Sequence, residues 1–272
     1  MSDTPSQVTA SAEVRARIDT SVPHSARFWN YFVGGKDHYE VDREIGDQIK
    51  EIFPGLVDVA VTSRQFLGRA VRHLVREEGV RQFLDVGTGL PTADNTHEVA
   101  QREAPDARIV YVDNDPVVLA HADALLTSTP EGRTAYLDAD LYDTDAILAA
   151  AADTLDFSRP IALVILNILG HVGDYGQARD LVRSLLAGLP SGSYLVLGDG
   201  TATSEGMIAA SEAYNASGAK PYHVRSVEEI AGFFDGLELV DPGVTQVPSW
   251  RPDPGAPAVG HVDAYCGVAR KP

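Results

Sequence analysis

"FLDVGTGLPT", residues 83–92, decides the fold. An apolar run ends in Asp85, breaks into Gly87-Thr88-Gly89, and passes through Leu90-Pro91 to a helical-looking segment, "ADNTHEVAQREA", at 93–104. Without a Cβ, Gly87 and Gly89 let the chain turn tightly and let a ligand come close to the backbone. A strand that stops in glycines just ahead of a helix has the form of a small-molecule cradle.

Downstream of this turn, short strands alternate with helices. "RIVYVDND" is followed by "PVVLAHADALL", with Pro116 in a first helical turn, where its fixed φ and missing donor cost nothing. "TAYLDAD", "IALVILN" and "SYLVLGDG" each lead into a helical pattern, the last from about Ser204 to Asn215. Five strands separated by helices predict a parallel, doubly wound sheet. The tail breaks the rhythm. Ser226 and Glu229 form a capping-box signature, "LELVDPGV" reads as a strand, and "HVDAYCGVAR" alternates as a last strand should. Two strands joined without a helix predict an antiparallel hairpin at the C-terminal edge of a seven-stranded, mostly parallel sheet.

Upstream, residues 1–22 are polar and are expected to be flexible. Residues 23–79 are helical in pattern. Val41, Ile45, Ile49 and Ile52 lie on one stripe, and Val59, Phe66, Ala70 and Leu74 lie on another. Gly34-Gly35 reads as a helix stop and hinge. The segment is expected to form a helical N-terminal lid, leaving 80–272 as the sheet domain.

Bulk properties narrow the function. The chain has 272 residues, 44% hydrophobic and 22% charged, enough for a full core in one large domain. Its net charge of −17 repels phosphate backbones, so no nucleic-acid partner is expected. The longest apolar run, "PIALVILNILG", falls short of the roughly 20 residues of a membrane span, and no membrane partner is expected. The first residues lack a basic segment followed by an apolar one, which points to the cytoplasm. A single cysteine, Cys266, excludes an internal disulfide. The eight histidines show no metal-ligand spacing, and no metal is expected.

The ligand follows from what surrounds the turn. Asp113 ends the second strand, where an acidic side chain accepts hydrogen bonds from ribose hydroxyls in Rossmann-like folds. A nucleoside is therefore expected. A dinucleotide fingerprint wants a third glycine, and here Thr92 follows Leu90-Pro91 instead. Asp85 puts a carboxylate near the first loop, which tolerates a sulfonium and an ammonium but repels a pyrophosphate. Asp138 and Asp140 end the third strand, where a carboxylate accepts the exocyclic amine of adenine. S-adenosylmethionine is favoured over NAD, and a nicotinamide-dependent oxidoreductase stays as the runner-up.

These residues carry a resemblance. Residues 83–126 resemble the first two motifs of class I, Rossmann-like S-adenosylmethionine-dependent methyltransferases. "HSARFWNYFVGGKDHYEVDREIGDQI", 24–49, together with the 83–92 turn, is similar to the signature of a bacterial methyltransferase family first catalogued as a domain of unknown function. The similarity runs from Pro23 to the final strand. It implies a transferase that uses S-adenosylmethionine, yields S-adenosylhomocysteine, and holds it through Asp85, Gly87, Thr88, Gly89, Asp113, Asn114, Asp140 and Leu141. Tyr142 stands where relatives tend to carry arginine, beside an intact Asp140. The resemblance fixes the class and leaves the acceptor open.

Methyl transfer is an in-line displacement with a neutral leaving group, so alignment and water exclusion contribute most. A base helps when the acceptor is a hydroxyl or an ammonium. After strand four, Asn167 is placed to support the methionine part of the cofactor. His171 has the pKa and position of a base, or is a loop histidine bonded to backbone. Asp199 either orients an acceptor or ends its strand. From the N-terminal motif, Tyr31 is a second catalytic candidate and a cofactor contact, and Arg27 and Lys36 are candidates for the cofactor carboxylate. The same segment also reads as a structural helix with its aromatics on the sheet. The expected activity is O- or N-methylation of a small molecule, the alternative being a non-catalytic sensor that binds S-adenosylmethionine or S-adenosylhomocysteine. Oligomeric state is not legible.

Overall fold

The computed structural model describes residues 16–125 and 127–272. The flexible tail expected at 1–22 lies largely outside the described residues, which begin at 16. Among the described residues, the helices before the first strand include α1 (Ser25–Phe32), α2 (Glu40–Ile52) and α3 (Leu56–Arg76). Then β1 (Gln82–Val86), α4 (Thr96–Glu103), β2 (Arg108–Asp113), α5 (Pro116–Leu125), β3 (Arg133–Asp138), α6 (Thr144–Ala151) and β4 (Ala162–Leu166) alternate. The chain continues through α7 (Tyr175–Ala187), β5 (Tyr194–Gly200), α8 (Glu205–Ala216), α9 (Val227–Gly232), β6 (Glu238–Leu239), β7 (Thr245–Gln246) and β8 (Ala264–Arg270).

The strands form one sheet in the order β3-β2-β1-β4-β5-β8-β6, with β7 also paired to β8. Strands β1 to β5 are parallel, and β8 runs antiparallel to β5 from Tyr194↔Arg270 to Gly200↔Ala264. This is the expected α/β architecture with an antiparallel edge. One detail differs. "LELVDPGV" and the residues after it supply two short pieces, β6 and β7, so the sheet counts eight strands, and the last strand, β8, lies inside the edge. Pro242 has no N–H to give a ladder and Gly243 turns at φ 82°, so pairing is interrupted between the pieces.

Alternation along each buried strand divides the core between two faces. Phe83, Ile109, Val164 and Val196 pack with Phe66, Ala70 and Leu74 of α3, while Leu84, Val110, Leu163 and Leu195 pack with Ile147 of α6 and Val182 of α7. Helices α1 to α3 therefore share a continuous core with the sheet. Phe66 is fully buried against Trp250, so truncating it to alanine costs about 3–5 kcal/mol. Short helices are held by their ends. The Ser226 and Glu229 side chains bond reciprocally to backbone N–H groups at the start of α9, as the sequence signature indicates, and Asn95 and Glu98 do the same for α4.

The strand order reverses between β1 and β4. At such a switch point the flanking loops diverge and leave a crevice outside the carboxyl ends of the strands. Gly87 and Asn167, which follow those two strands, face it.

Candidate cofactor and active site

A cavity of ≈ 160 Å³ fills this crevice. Its floor is the turn after β1. Gly87 turns at φ 75°, and a Cβ there would lie 2.2 Å from Ile168 Cδ1, so only glycine fits both the backbone and the packing. Gly89 turns at φ 67° with open space where a Cβ would point. The N–H groups of Gly87 and Thr88 both donate to the Val112 carbonyl, which pins the turn against the end of β2.

Asp113 closes the turn from the other side. One carboxylate oxygen accepts from the Gly89 amide at 2.7 Å, and the other accepts from the Asn114 and Asp115 amides at 2.9 and 3.0 Å. A carboxylate has about four lone-pair sites, so Asp113 is fixed in place and keeps acceptor capacity toward the cavity. Asn114 donates through its side chain to Asp140 at 3.2 Å, and Asp140 also accepts from the Tyr142 amide. Leu141 is buried beside them.

Asp85, at the end of β1, is 6% exposed and accepts from the Thr96 hydroxyl at 2.6 Å. Burial pushes its carboxyl up to about 6, against the opposing pull of Thr96 and Arg64 and with a further push from Asp113. Arg64 of α3 faces the same cavity, and its Nε is buried without a partner. Asn167, at φ 54°, donates its N–H to the Gly198 carbonyl and leaves a buried Oδ1 unpartnered. Asparagine tolerates this left-handed conformation better than other side chains.

His171 sits in a single 3-10 turn after β4 and lines the cavity. Its Nδ1 lies 2.9 Å from the Pro221 carbonyl, which can only accept, so Nδ1 carries the proton and Nε2 is a bare acceptor. Nε2 is buried with no partner. Burial pushes the imidazole down to about 4, so it is neutral across the physiological range.

Ten of the residues expected at the site line this one cavity: Asp85, Gly87, Thr88, Gly89, Asp113, Asn114, Asp140, Leu141, Asn167 and His171. Arg27, Tyr31 and Lys36 do not. The Arg27 guanidinium is buried, donates to the carbonyls of Asp19 and Val22, and lies 3.6 Å from the fully buried Asp42. Asp42 in turn accepts the amides of His24 and Tyr39. Tyr31 bonds Asp47 and lies under the Lys50 ammonium, while Lys36 is exposed. Arg27 and Tyr31 thus hold the 19–47 segment to itself, which is why they are turned away from the crevice. Asp199 likewise serves its surroundings, accepting from the Gly170 amide and the Tyr222 hydroxyl. Asp138 pairs with Arg17.

The N-terminal motif reaches the cavity through other residues: His24, Ser25, Trp29 and Asn30. His24 Nδ1 lies 2.8 Å from Asp115 Oδ2 and anchors the start of α1 to the turn after β2. Asn30 accepts the Asp37 amide and keeps a buried Nδ2 without a partner. Arg64 and Lys220 also line the cavity and were not singled out from the sequence. Arg64 is one of four arginines in α3, with Arg69, Arg72 and Arg76, and no spacing in the sequence sets it apart from them.

Glycine turn, acidic second-strand tip, switch-point crevice and antiparallel final strand together define the Rossmann-like class I methyltransferase fold. A family model described as S-adenosyl methyltransferase matches residues 11–272. A DUF574 family protein from Streptomyces avermitilis MA-4680 is 47% identical, with a TM-score of 0.91 covering 94% of this chain and 100% of that one. A candidate methyltransferase from Thermobifida fusca YX is 37% identical, with a TM-score of 0.86 covering 93% and 96%. Magnesium protoporphyrin IX methyltransferase from Synechocystis PCC 6803, crystallised with bound SAM, is 13% identical with a TM-score of 0.52 over 90% of each chain, a likeness of fold alone. No curated protein matches the chain. The chain belongs to the S-adenosyl methyltransferase family: it is an enzyme, and its methyl donor is S-adenosylmethionine. Among the described residues, no helix is long and apolar enough to cross a membrane.

Proposed function

We propose that this enzyme methylates an oxygen or nitrogen of a small molecule in the cytoplasm, with the donor seated in the strand-tip cavity and the acceptor meeting it beside His171. One observation carries the reading. Asn30 Nδ2, Arg64 Nε, Asn167 Oδ1 and His171 Nε2 are buried polar atoms without partners, and their residues all line the same cavity. Each such atom costs about 1–3 kcal/mol while unsatisfied, so together they fit a polar ligand with matching donors and acceptors.

Asp113 and Asn114 suit ribose hydroxyls, and Asp140 with Leu141 suits adenine through its amine and its flat face. Asp85 and Asn167 suit the ammonium of the methionine part, and Arg64 suits its carboxylate. Gly87, Thr88 and Gly89 let the nucleoside pass close to the main chain. When bound, the donor supplies a methyl group on a sulfonium, with a neutral thioether as leaving group. The chain's own contributions are positioning and dryness. The helical segment 23–79 serves as a lid, with His24, Ser25, Trp29 and Asn30 forming the wall over the crevice. His171 Nε2, neutral and bare, receives a proton from the acceptor.

The strongly acidic surface supports a small acceptor over a nucleic acid. The test is incubation with labelled S-adenosylmethionine against a small-metabolite pool, total RNA, DNA and cell protein in parallel. Label appearing in small organic products supports the reading, and label confined to a macromolecule overturns it.

A further inference from the structure

We propose that an apolar slot adjoining the donor cavity is the acceptor site, and that it selects a neutral, apolar molecule presenting one hydroxyl; this rests on the small-molecule reading above. The slot, ≈ 30 Å³, is walled by Phe28, Trp29, Ile49 and Met207 and shares Ser25, Trp29 and His171 with the donor cavity. It is narrow. It receives the hydroxyl-bearing end of an acceptor whose remainder lies along the aromatic wall of α1.

Two side chains on the slot carry buried polar atoms without partners, His171 Nε2 and Tyr214 Oη, and their rings are 6.5 Å apart. The other polar groups deeper in the slot are engaged. Tyr222 donates to Asp199, and the Ser211 hydroxyl donates to the Tyr222 carbonyl at 2.7 Å. Nε2 is an acceptor only, because Nδ1 holds the ring proton against Pro221. Tyr214 has an O–H to give. A hydroxyl satisfies both at once, giving its hydrogen to Nε2 and accepting the Tyr214 O–H. An alkylammonium can give hydrogens to both but would be buried without a counter-charge, because no carboxylate is among the residues lining the slot. A carboxylate has no hydrogen for Nε2.

His171 borders both spaces, so a hydroxyl held on it faces the donor cavity. In the transfer, the hydroxyl oxygen forms a bond to the methyl carbon as the carbon–sulfur bond breaks and its electron pair stays on sulfur. The hydroxyl proton passes to His171 Nε2. The products are a methyl ether, a neutral thioether and an imidazolium, and one positive charge is conserved. Tyr214 touches the acceptor oxygen and orients it.

The test uses para-cresol, toluene, benzylamine and para-toluidine as probes on enzyme saturated with S-adenosylhomocysteine, read by ligand-observed NMR. Para-cresol is expected to bind at least about tenfold tighter than the other three, and Tyr214→Phe to remove about tenfold of that preference while leaving S-adenosylhomocysteine affinity unchanged. With S-adenosylmethionine, para-cresol is expected to yield its methyl ether. Equal binding of cresol and toluene, a preference for either amine, or an unchanged preference in Tyr214→Phe overturns the proposal. Methylation of a small amine with cresol ignored sinks this inference alone; label found only in macromolecules sinks the small-molecule reading as well.

Discussion

Gly87 and Ile168 are packed so tightly that a Cβ on the glycine would lie 2.2 Å from Ile168 Cδ1. The contact joins the loops after β1 and β4, the two strands flanking the switch point. Gly87→Ala must relieve this clash and also hold φ near 75°. A left-handed alanine costs about 1–2 kcal/mol and overpacking about 1–3 more. The variant should lose about 2–5 kcal/mol in urea unfolding and bind S-adenosylhomocysteine at least tenfold more weakly. Wild-type affinity in this variant would mean that the turn does not shape the cavity.

Arg64 supplies a test of which end of the donor lies where. Arg64→Met keeps much of the side chain's bulk and removes the charge. Loss of a charge-assisted hydrogen bond is worth about 1.5–3 kcal/mol, so S-adenosylhomocysteine should bind roughly 10- to 100-fold more weakly. Methylthioadenosine, which lacks the amino-acid part, should bind as it does to the wild type. Calorimetry with both ligands separates the two, and equal losses for both would remove Arg64 from the carboxylate.

Asp85 gives the affinity a pH dependence. Its carboxyl sits at about 6 in the ligand-free protein because of burial, opposed by Thr96 and Arg64 and reinforced by Asp113. A cationic ammonium beside it favours the ionised form, so binding releases a proton. Affinity should be full above pH 6 and fall by up to about tenfold per unit below it. The ligand-free fold responds in the opposite sense: its stability should rise as pH falls through 6 toward the unfolded carboxyl value of about 3.9, since the folded state takes up the proton first. Titrations across pH 5–8 in buffers of different ionisation enthalpy check both the slope and the proton release.

The N-terminal motif divides into two sets with different outcomes. Asp42→Ala leaves the buried Arg27 unpaired and should cost about 3–5 kcal/mol of stability. Tyr31→Phe and Lys36→Met, at positions away from the cavity, should leave S-adenosylhomocysteine affinity within about twofold, as expected of surface changes that touch no ligand. A large affinity loss in either would return those side chains to the donor site.

The floor of the site was legible because its determinants are local. Asp85, Gly87, Gly89 and Asp113 follow one another at strand ends, and the strand–turn–helix rhythm dictates where those ends meet. The wall was legible only as a segment. Sequence spacing placed a dense polar motif near the cavity without saying which side of α1 faces it, and the buried Asp42 decides that by drawing Arg27 inward. The slot formed by Phe28, Met207 and Tyr214 joins residues far apart in the chain, and no periodicity announces such a meeting. The edge segment "LELVDPGV" was visible as a strand, but its interruption around Pro242 and Gly243 depends on which N–H groups the ladder needs.

The most direct measurement is a calorimetric titration of S-adenosylhomocysteine into the wild-type protein and into Asp113→Ala, with melting temperatures recorded for both. The account predicts stoichiometric binding to the wild type and a loss of at least about tenfold in the variant, which gives up charge-assisted bonds to the sugar as well as the Gly89 tether. Equal affinity in the two folded proteins, or no heat with the wild type, would contradict it.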